Sequence, residues 1–255
     1  MYTSDAIAFD VLGQSDFSPA DWRYEEKNMI AVLLNNVDVF VEESEKSLQI
    51  NNIHESDFDG VWEALVEKYP GYSIDFCFKG VALPEDKLCK INARVIDDCV
   101  NMNLVPECYT ASDSSHVMLL ADADYEEFAA LYDSLETDDM YWTSELMKKR
   151  ADIWRIFIIK TGGKISDYIT LKVPIKDAKL NDVSYGEIFS VRAANPDNER
   201  ALVDAAARCT FENGKSEVIY MVDYDNAQAR AVASTLGFKA VGFYKGYTTM
   251  IPPQM

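Results

Sequence analysis

The sequence predicts a mixed α/β protein in which strands and helices alternate along most of the chain. Short apolar runs typical of strands are separated by segments whose apolar residues recur every three to four positions, which is the helical period. Two of the runs flank Thr161-Gly162-Gly163-Lys164, a turn typical of β-hairpins. A chain of 255 residues, 48% of them hydrophobic, can bury a substantial core as one large or two small domains.

The first part of the chain is predicted to hold an irregular lead-in, strands and two helices. Residues 1–27 mix glycine, serine, proline and charged residues with no long period. The first half of Met29–Phe40 fits either a helix or a strand. Asp57 is predicted to open the first helix as its N-cap, and the second helix is predicted over Glu85–Asn103, with Asn103 at a left-handed end. Strands are predicted at Val37–Val41, Ser47–Ile53, Ser73–Val81 and Val105–Thr110.

The serine-rich bridge Ala111–His116 is the best candidate for a domain boundary, because turn-forming residues cluster there and the apolar pattern restarts after it. We therefore predict a smaller N-terminal domain over residues 1–115 and a second domain over residues 116–255. Short similarities between the two halves leave both an internal duplication and a chance similarity open.

The second half is predicted to continue with further strands and helices. Asp124 is predicted to cap the first of these helices, and Gly237 to end the last one. The other helices are predicted over Tyr141–Arg150, Asn198–Phe211 and Asn226–Leu236. Strands are predicted at Val117–Ala121, Trp154–Lys160, Ile165–Val173, Tyr185–Arg192, Glu217–Val222 and Ala240–Met250.

The charge of the chain limits its partners. Lysine and arginine number 24 against 43 aspartates and glutamates, which gives a formal net charge of −19. Such a chain is not expected to bind nucleic acid or anionic membranes, because both need clustered basic side chains. A cationic substrate is compatible with this charge, and so is an acidic surface that only contacts solvent.

Cysteine and histidine usage bears on location and metal binding. Five cysteines form an odd number without a CxxC pair, which predicts reduced thiols in a cytoplasmic protein. The start of the chain lacks the features of a signal peptide, and no apolar run reaches the roughly 20 residues that span a bilayer. His54 and His116 have no metal-ligand spacing, so no metal site is predicted.

The segment Val222-Asp223-Tyr224-Asp225-Asn226 is followed, after ten intervening residues, by Gly237-Phe238-Lys239. Together with the element order in residues 117–255, this motif resembles the GNAT (Gcn5-related N-acetyltransferase) superfamily. The resemblance implies a mixed, mostly antiparallel sheet flanked by helices. It also implies that the N-terminal unit is a smaller, degenerate GNAT-like copy, so that the protein is a tandem GNAT-like chain.

The resemblance implies acetyl-CoA as the cofactor and Tyr185–Val191 as the central strand of the site. In GNAT proteins this strand leaves its neighbour and offers backbone amides to the pantetheine arm, which implies cofactor contacts at Ser190 and Val191. Some members carry a glutamate there as general base, and Glu187 lies at a similar position. A carboxylate in an apolar wall can have its pKa raised towards the working pH. The alternative is an exposed strand glutamate without a catalytic role.

Two residues at the start of the last predicted helix are further candidates. Asn226 is implied either as a cofactor contact or as a helix cap alone. The tyrosine that often acts as general acid in the family would fall at Ala233, so Tyr224 is the candidate to replace it.

The acyl-CoA loop of the family is the main point of departure. That loop is glycine-rich and holds the pyrophosphate with backbone amides at a helix N-terminus. Here the equivalent segment, Ala193–Ala201, has no glycine, and Pro196 removes one amide donor. Asp197 and Glu199 add negative charge, although both are also ordinary helix-start residues. Cofactor-binding side chains predicted in this segment are Asn198 and Arg200.

Two functions therefore remain open. The first is an acyl-CoA-dependent N-acyltransferase that transfers an acetyl group to a small-molecule primary amine. The second is a non-catalytic GNAT-fold module that binds a ligand or protein and has lost acetyl-CoA binding. A hydrolase with a cysteine nucleophile is a remoter third class, because Cys99 and Cys209 fall in apolar patterns typical of the core. The sequence leaves the oligomeric state open.

Overall fold

The computed structural model of the chain describes residues 30–35, 37–50, 53–79, 84–135, 142–173 and 184–253. These residues form two compact units. The first unit contains the described residues up to Val100 and from Gly242 onwards, and the second contains those from Asn101 to Val241. The chain therefore passes from one unit to the other within two strands, Arg94–Leu104 and Lys239–Met250.

The serine-rich bridge lies inside the second unit. There the hydroxyl of Ser114 donates a hydrogen bond of 2.7 Å to Asp204. The limits of the compact units do not coincide with the predicted boundary after residue 115. The division into folding domains 1–115 and 116–255 stays a prediction.

The first unit is a sheet with two helices. Its described strands follow the order β1-β2-β3-β4-β11-β5, in which β3 and β4 run parallel and β1–β2, β2–β3 and β4–β11 are antiparallel. The strands are β1 (Ile30–Leu34), β2 (Val37–Glu42), β3 (Ser47–Ile50), β4 (Ser73–Lys79), the first part of β5 (Arg94–Leu104) and the second part of β11 (Lys239–Met250). The helices are α1 (Glu55–Lys68) and α2 (Glu85–Lys90).

The core of the first unit lies between α1 and the sheet. Phe58, Val61 and Leu65 recur at helical spacing and are buried, which places one face of α1 in this core. Phe76 of β4 and Tyr247 of β11 stack with ring centroids 5.5 Å apart. The helix and the strands thus bury their apolar faces against each other.

The helix predicted over Glu85–Asn103 is wrong. Helix α2 ends at Lys90, Asn92 takes the left-handed conformation with φ of 53°, and β5 follows from Arg94. The apolar residues of this segment match the helical period, but Val100, Met102 and Leu104 are buried with the strand period of two. Pairing within the sheet has overridden the local pattern, and Asn103 lies in the strand.

Other elements of this part differ in detail from the predictions. Helix α1 begins at Glu55 with His54 at the N-cap, so Asp57 lies in its first turn. The ambiguous half of Met29–Phe40 forms β1, which pairs with β2. The strand predicted at Val105–Thr110 is wrong, because a short 3-10 helix occupies Pro106–Cys108. The lead-in over residues 1–27 lies outside the described residues.

The second unit is a mixed sheet flanked by helices. The strands follow the order β5-β10-β9-β8-β7-β6; β9 and β10 run parallel, and the pairs from β6 to β9 are antiparallel. Its strands, besides its parts of β5 and β11, are β6 (Met118–Leu119), β7 (Trp154–Thr161), β8 (Lys164–Lys172), β9 (Tyr185–Arg192) and β10 (Glu217–Asp223). The helices are α3 (Tyr125–Asp133), α4 (Ser144–Lys149), α5 (Pro196–Glu212) and α6 (Ala227–Thr235).

Most elements of this unit confirm the sequence-based assignments. Gly162 and Gly163 both have positive φ, as a type I′ hairpin turn between β7 and β8 requires. Strand β9 has the predicted bounds, whereas β6 is shorter than the predicted Val117–Ala121. Described residues include no helix long and apolar enough to cross a membrane.

Helix α5 packs closely on β9. Leu202, Val203 and Ala206 of this helix are fully buried. A Cβ at Gly186 of β9 would lie only 2.6 Å from the hydroxyl of Thr210 on α5. One face of β9 therefore packs against α5. The residues that alternate with Gly186 along β9 point to the opposite face of the sheet.

The buried carboxylate of Asp204 anchors a loop to α5. It accepts hydrogen bonds from the Tyr109 hydroxyl (2.6 Å), the Ser112 amide (2.8 Å) and the Ser114 hydroxyl, and it pairs with Arg208. Burial by itself raises the pKa of Asp204, but these hydrogen bonds together hold it below its ordinary value. Burial and the Asp204 carboxylate raise the pKa of Tyr109 to about 12.

Gly237, after α6, is expected to tolerate no side chain. Its φ is 100°, and a Cβ there would fall on the carbonyl oxygen of Cys108. We expect Gly237→Ala to lower the free energy of unfolding by about 3 kcal/mol or more. Gly214→Ala is the matched control, because φ there is 74° but nothing lies within 4 Å of the new Cβ. Urea unfolding should give a loss of about 1 kcal/mol for the control, and equal losses would show that the Cys108 carbonyl adds no steric cost.

Asp204→Asn should reveal the linkage between this carboxylate and folding. We expect a loss of about 3 kcal/mol near neutral pH, because the fully buried carboxylate loses its charge-assisted hydrogen bonds from Tyr109, Ser112 and Ser114. Because the folded pKa is lowered, the contribution is complete above the unfolded value of about 3.9 and is lost as the pH falls through the folded pKa. The stability gap between the variant and the wild type, measured by urea unfolding, should therefore narrow in acid. A gap independent of pH would contradict this role.

Candidate functional site

Strands β9 and β10 separate partway along their length. Their parallel pairing runs from Tyr185–Glu217 to Ile188–Tyr220, although β9 continues to Arg192 and β10 to Asp223. The described pairing of β9 with β10 thus ends four residues before the end of β9. An opening between two parallel strands exposes backbone groups that a ligand can pair with.

A β-bulge lies where the two strands part. In the pairing of β9 with β8, Leu171 faces Ile188 and Thr170 faces Ser190, which leaves Phe189 as the extra residue. The amide of Ser190 donates to the Thr170 hydroxyl at 3.0 Å. Ser190 and Val191, the predicted cofactor contacts, follow the bulge and are half-buried. Their cofactor contacts stay a prediction.

The N-terminus of α5 is capped by side chains of the protein itself. Asn195 is the N-cap, and its side-chain oxygen accepts from the amides of Asp197 (3.1 Å) and Asn198 (2.9 Å). The amide of Glu199 donates to the Asn195 carbonyl, and the amide of Ala194 donates to the buried carboxylate of Asp167. Since Pro196 has no amide hydrogen, all the amides between Ala194 and Glu199, apart from that of Asn195, have acceptors or do not exist.

The charges around this helix start are mostly negative. Asp167 is fully buried beneath it, and Glu199 is 5% exposed and accepts a hydrogen bond of 3.0 Å from Gln228. Asp197 is exposed, and Arg200 lies 3.9 Å from it. The pyrophosphate of acetyl-CoA does not fit these residues. The backbone amides that would donate to it already have acceptors. A carboxylate about 4 Å from a phosphate would also cost about 1–4 kcal/mol in like-charge repulsion. Cofactor contacts by Asn198 and Arg200 stay a prediction.

Glu187 is paired with a buried lysine. The ammonium of Lys172, which faces Glu187 across β8 and β9, lies 3.4 Å from its carboxylate. The side chain of Lys172 is 5% exposed and that of Glu187 is 16% exposed. The general-base role of Glu187 stays a prediction.

Three aromatic rings surround the same ammonium. Its nitrogen lies 4.6 Å from the ring centroid of Phe189, 5.4 Å from that of Trp154 and 5.6 Å from that of Trp142. Such cation–π contacts stabilise a desolvated ammonium by about 2 kcal/mol or more. Sequence reasoning missed Lys172, although its place in an alternating strand opposite an aromatic strand was a usable signal.

The two candidates before α6 lie near the end of β10. The side-chain oxygen of Asn226 accepts from the Ala229 amide at 3.0 Å, so this residue caps α6, as one of its two predicted roles requires. Tyr224 is 53% exposed, and its ring lies 5.5 Å from the guanidinium of Arg230. Ala233, where the family tyrosine would fall, is fully buried. A catalytic role of Tyr224 and a cofactor contact of Asn226 stay predictions.

Neither cysteine of the remoter hydrolase class is set up as a nucleophile. Cys99 is buried, and burial raises the pKa of the Cys209 thiol, which disfavours the thiolate. Within the part of the chain that the structure describes, no group of three His, Cys, Asp or Glu side chains is arranged to hold a metal ion.

Solved structures similar to this chain include several that are described as GNAT proteins. A GCN5-related N-acetyltransferase from Kribbella flavida aligns at TM-score 0.54 and 11% identity, over 96% of each chain. A putative GNAT acetyltransferase from Novosphingobium aromaticivorans aligns at TM-score 0.51 and 13% identity, over 85% of this chain and 89% of that one. A tandem GNAT protein from the clavulanic acid biosynthesis pathway aligns at TM-score 0.50 and 11% identity, over 86% and 79%.

These alignments define the fold as GNAT-like, with a large and mostly antiparallel sheet flanked by helices. At such low sequence identity the alignments show the fold alone. No protein-family model matches the chain, and a search of curated proteins finds no match.

The pair Lys172–Glu187 should be strongly coupled in stability. In a double-mutant cycle with Lys172→Met and Glu187→Gln, we expect a coupling of at least about 1 kcal/mol, since both groups are largely withdrawn from water. The matched control is the exposed pair Lys149–Glu145, which should give at most about 0.5 kcal/mol. Urea unfolding measures both cycles, and equal couplings would show that the aromatic surroundings do not strengthen the buried pair.

Proposed function

We propose that this chain is a non-catalytic GNAT-fold module that binds a ligand or a protein and does not hold acetyl-CoA in the manner of the superfamily. The observation that carries the proposal is the start of α5. There the amides that would receive a pyrophosphate donate to Asn195 and Asp167 instead. A phosphate would have to displace acceptors that are already in place and covalently part of the chain.

The charges and the paired glutamate support the same conclusion. The carboxylate of Asp167 is buried at the helix start, where it satisfies the local preference for negative charge. Glu187, the residue best placed for proton abstraction, forms an ion pair with Lys172. The absence of a tyrosine at the fully buried Ala233 removes the usual general acid.

A second candidate is an N-acyltransferase that uses a small-molecule primary amine. The observation that favours it is the separation of β9 from β10 after Ile188, with Glu187 on the same strand. This geometry suits the pantetheine part of a donor, whereas the start of α5 does not suit the pyrophosphate part.

Partners and location follow from the composition as proposals. The net charge of −19 argues against nucleic acid and membrane partners. All five cysteines are free thiols, which supports a cytoplasmic location.

Calorimetric titration with acetyl-CoA separates the two candidates. We expect no binding heat and no rise in the melting temperature up to about 1 mM acetyl-CoA, where a ligand with a Kd of about 10 μM would add roughly 2.7 kcal/mol of stability. A GNAT enzyme of established acetyl-CoA affinity serves as the positive control. Saturable binding, with acetylation of an added primary amine that Glu187→Gln abolishes, would establish the acyltransferase instead.

A further inference from the structure

Strand β1 lies at an edge of the sheet in the first unit. Among the strands that the structure describes, its neighbour is β2 alone, with Ile30 facing Val41 at one end and Leu34 facing Val37 at the other. An edge strand presents backbone N–H and C=O groups that another strand can pair with. The outer edge of β1 is therefore a candidate interaction surface.

The hairpin of β1 and β2 decides which backbone groups point outwards. Leu34 and Val37 face each other across two intervening residues, and Asn35 has the positive φ of 48° that a type I′ turn uses. The pair next to such a turn exchanges both of its hydrogen bonds, and the pattern then alternates along the ladder. The N–H and C=O groups of Ala31 and Leu33 thus point away from β2.

The residues of β1 do not protect this edge. Natural edge strands are commonly guarded by charged side chains, proline or a bulge. In contrast, β1 reads Ile-Ala-Val-Leu-Leu and pairs with β2 in an unbroken register. The side chain of Leu33 is 48% exposed and points away from the core, because Val32 and Leu34 on either side of it are buried in the core. An exposed apolar side chain and outward-pointing backbone groups thus occur together at this edge.

A second copy of this chain matches the edge by symmetry. When two β1 strands run antiparallel about a two-fold axis at Val32, Ala31 of one copy faces Leu33 of the other. Both residues point their backbone groups outwards, so each of these facing pairs exchanges both of its hydrogen bonds. The strand is therefore complementary to itself.

The charge of the chain also favours contact between copies at β1. The net charge is −19, so two copies repel each other wherever their carboxylates would meet. Strand β1 carries no charged residue, and the carboxylates of the neighbouring strand, Asp38 and Glu42, lie one strand further in. Repulsion between more distant charges is screened beyond a Debye length of about 10 Å at 0.1 M salt. A partner of opposite charge would find no charge on β1 to pair with.

We propose that two copies of this chain associate through β1, with the two strands antiparallel and related by a two-fold axis at Val32. The pairing continues the sheet of the first unit across the axis and covers the exposed side chain of Leu33 in both copies. This inference goes beyond the proposed function, because it assigns an interface between copies and is independent of any ligand.

Sedimentation equilibrium of the full chain tests the proposal. We expect a dimer with a Kd below about 100 μM, and this Kd should fall as sodium chloride screens the repulsion between the copies. Leu33→Pro removes one outward N–H from each copy and leaves the pairing with β2 intact, since proline is tolerated on edge strands at such positions. It should raise the Kd at least tenfold, while the circular dichroism spectrum of the monomer stays that of the wild type.

Leu119→Pro on β6 is the matched control. Leu119 is 57% exposed, and the Leu120 amide donates to Ile156 of β7, so the alternation directs the N–H of Leu119 away from β7. This variant should leave the dimer Kd unchanged, because β6 takes no part in the proposed pairing. If Leu33→Pro does not fold, Leu33→Glu provides the comparison, since it keeps the backbone donor and adds a carboxylate on each side of the axis.

Two results would overturn the proposal. One is a chain that stays monomeric up to about 100 μM at every salt concentration. The other is a dimer that the Leu33 variants weaken no more than Leu119→Pro does, which would place the interface on another surface. Acetyl-CoA binding would refute the proposed function without bearing on the dimer.

Discussion

The start of helix α5 sets the chemistry that this GNAT-like fold can support. The first amides of any helix need acceptors from outside the helix, and a ligand or the protein itself can supply them. In this chain Asn195 and the buried Asp167 supply them. A helix start satisfied in this way stabilises the packed α5–β9 layer, and under the proposed function it does not serve as an anion site.

The same pattern of internal partners recurs across the sheet. The ammonium of Lys172 lies among three aromatic rings and against Glu187, at the bulge where β9 leaves β10. A cation in that place lets the chain bury a glutamate on the central strand without leaving it unpaired. Unsatisfied buried acceptors lie on β5, at the side-chain oxygens of Asn101 and Asn103.

Much of the second unit could be predicted because local signals and tertiary structure agree there. Two glycines with positive φ define the hairpin of β7 and β8, β9 has the predicted bounds, and Asn226 caps α6. The helix prediction for the segment after Glu85 was wrong because its apolar residues fit both the helical and the strand period. Only pairing within the sheet decides between the two structures. The local sequence pattern is therefore sufficient to predict a helix or strand where the turn residues add an independent constraint.

The candidate site was less predictable than the fold. The lost glycines and the added carboxylates near α5 were visible in the sequence, but Asp167 lies far from them in the chain and contacts Ala194 only in the folded protein. The contacts of Lys172 are also distant in sequence, since its aromatic partners come from β7, β9 and the segment just before α4. Long-range contacts of this kind leave no local pattern to interpret.

The amides at the start of α5 are satisfied by acceptors of the chain itself. Amide NMR of the labelled protein titrated with acetyl-CoA tests whether these acceptors persist, because each backbone N–H of this segment reports separately. We expect the signals of Ala194, Asp197 and Asn198 to keep their positions throughout the titration. Saturable shifts of these three signals, with loss of the hydrogen bonds to Asn195 and Asp167, would contradict it.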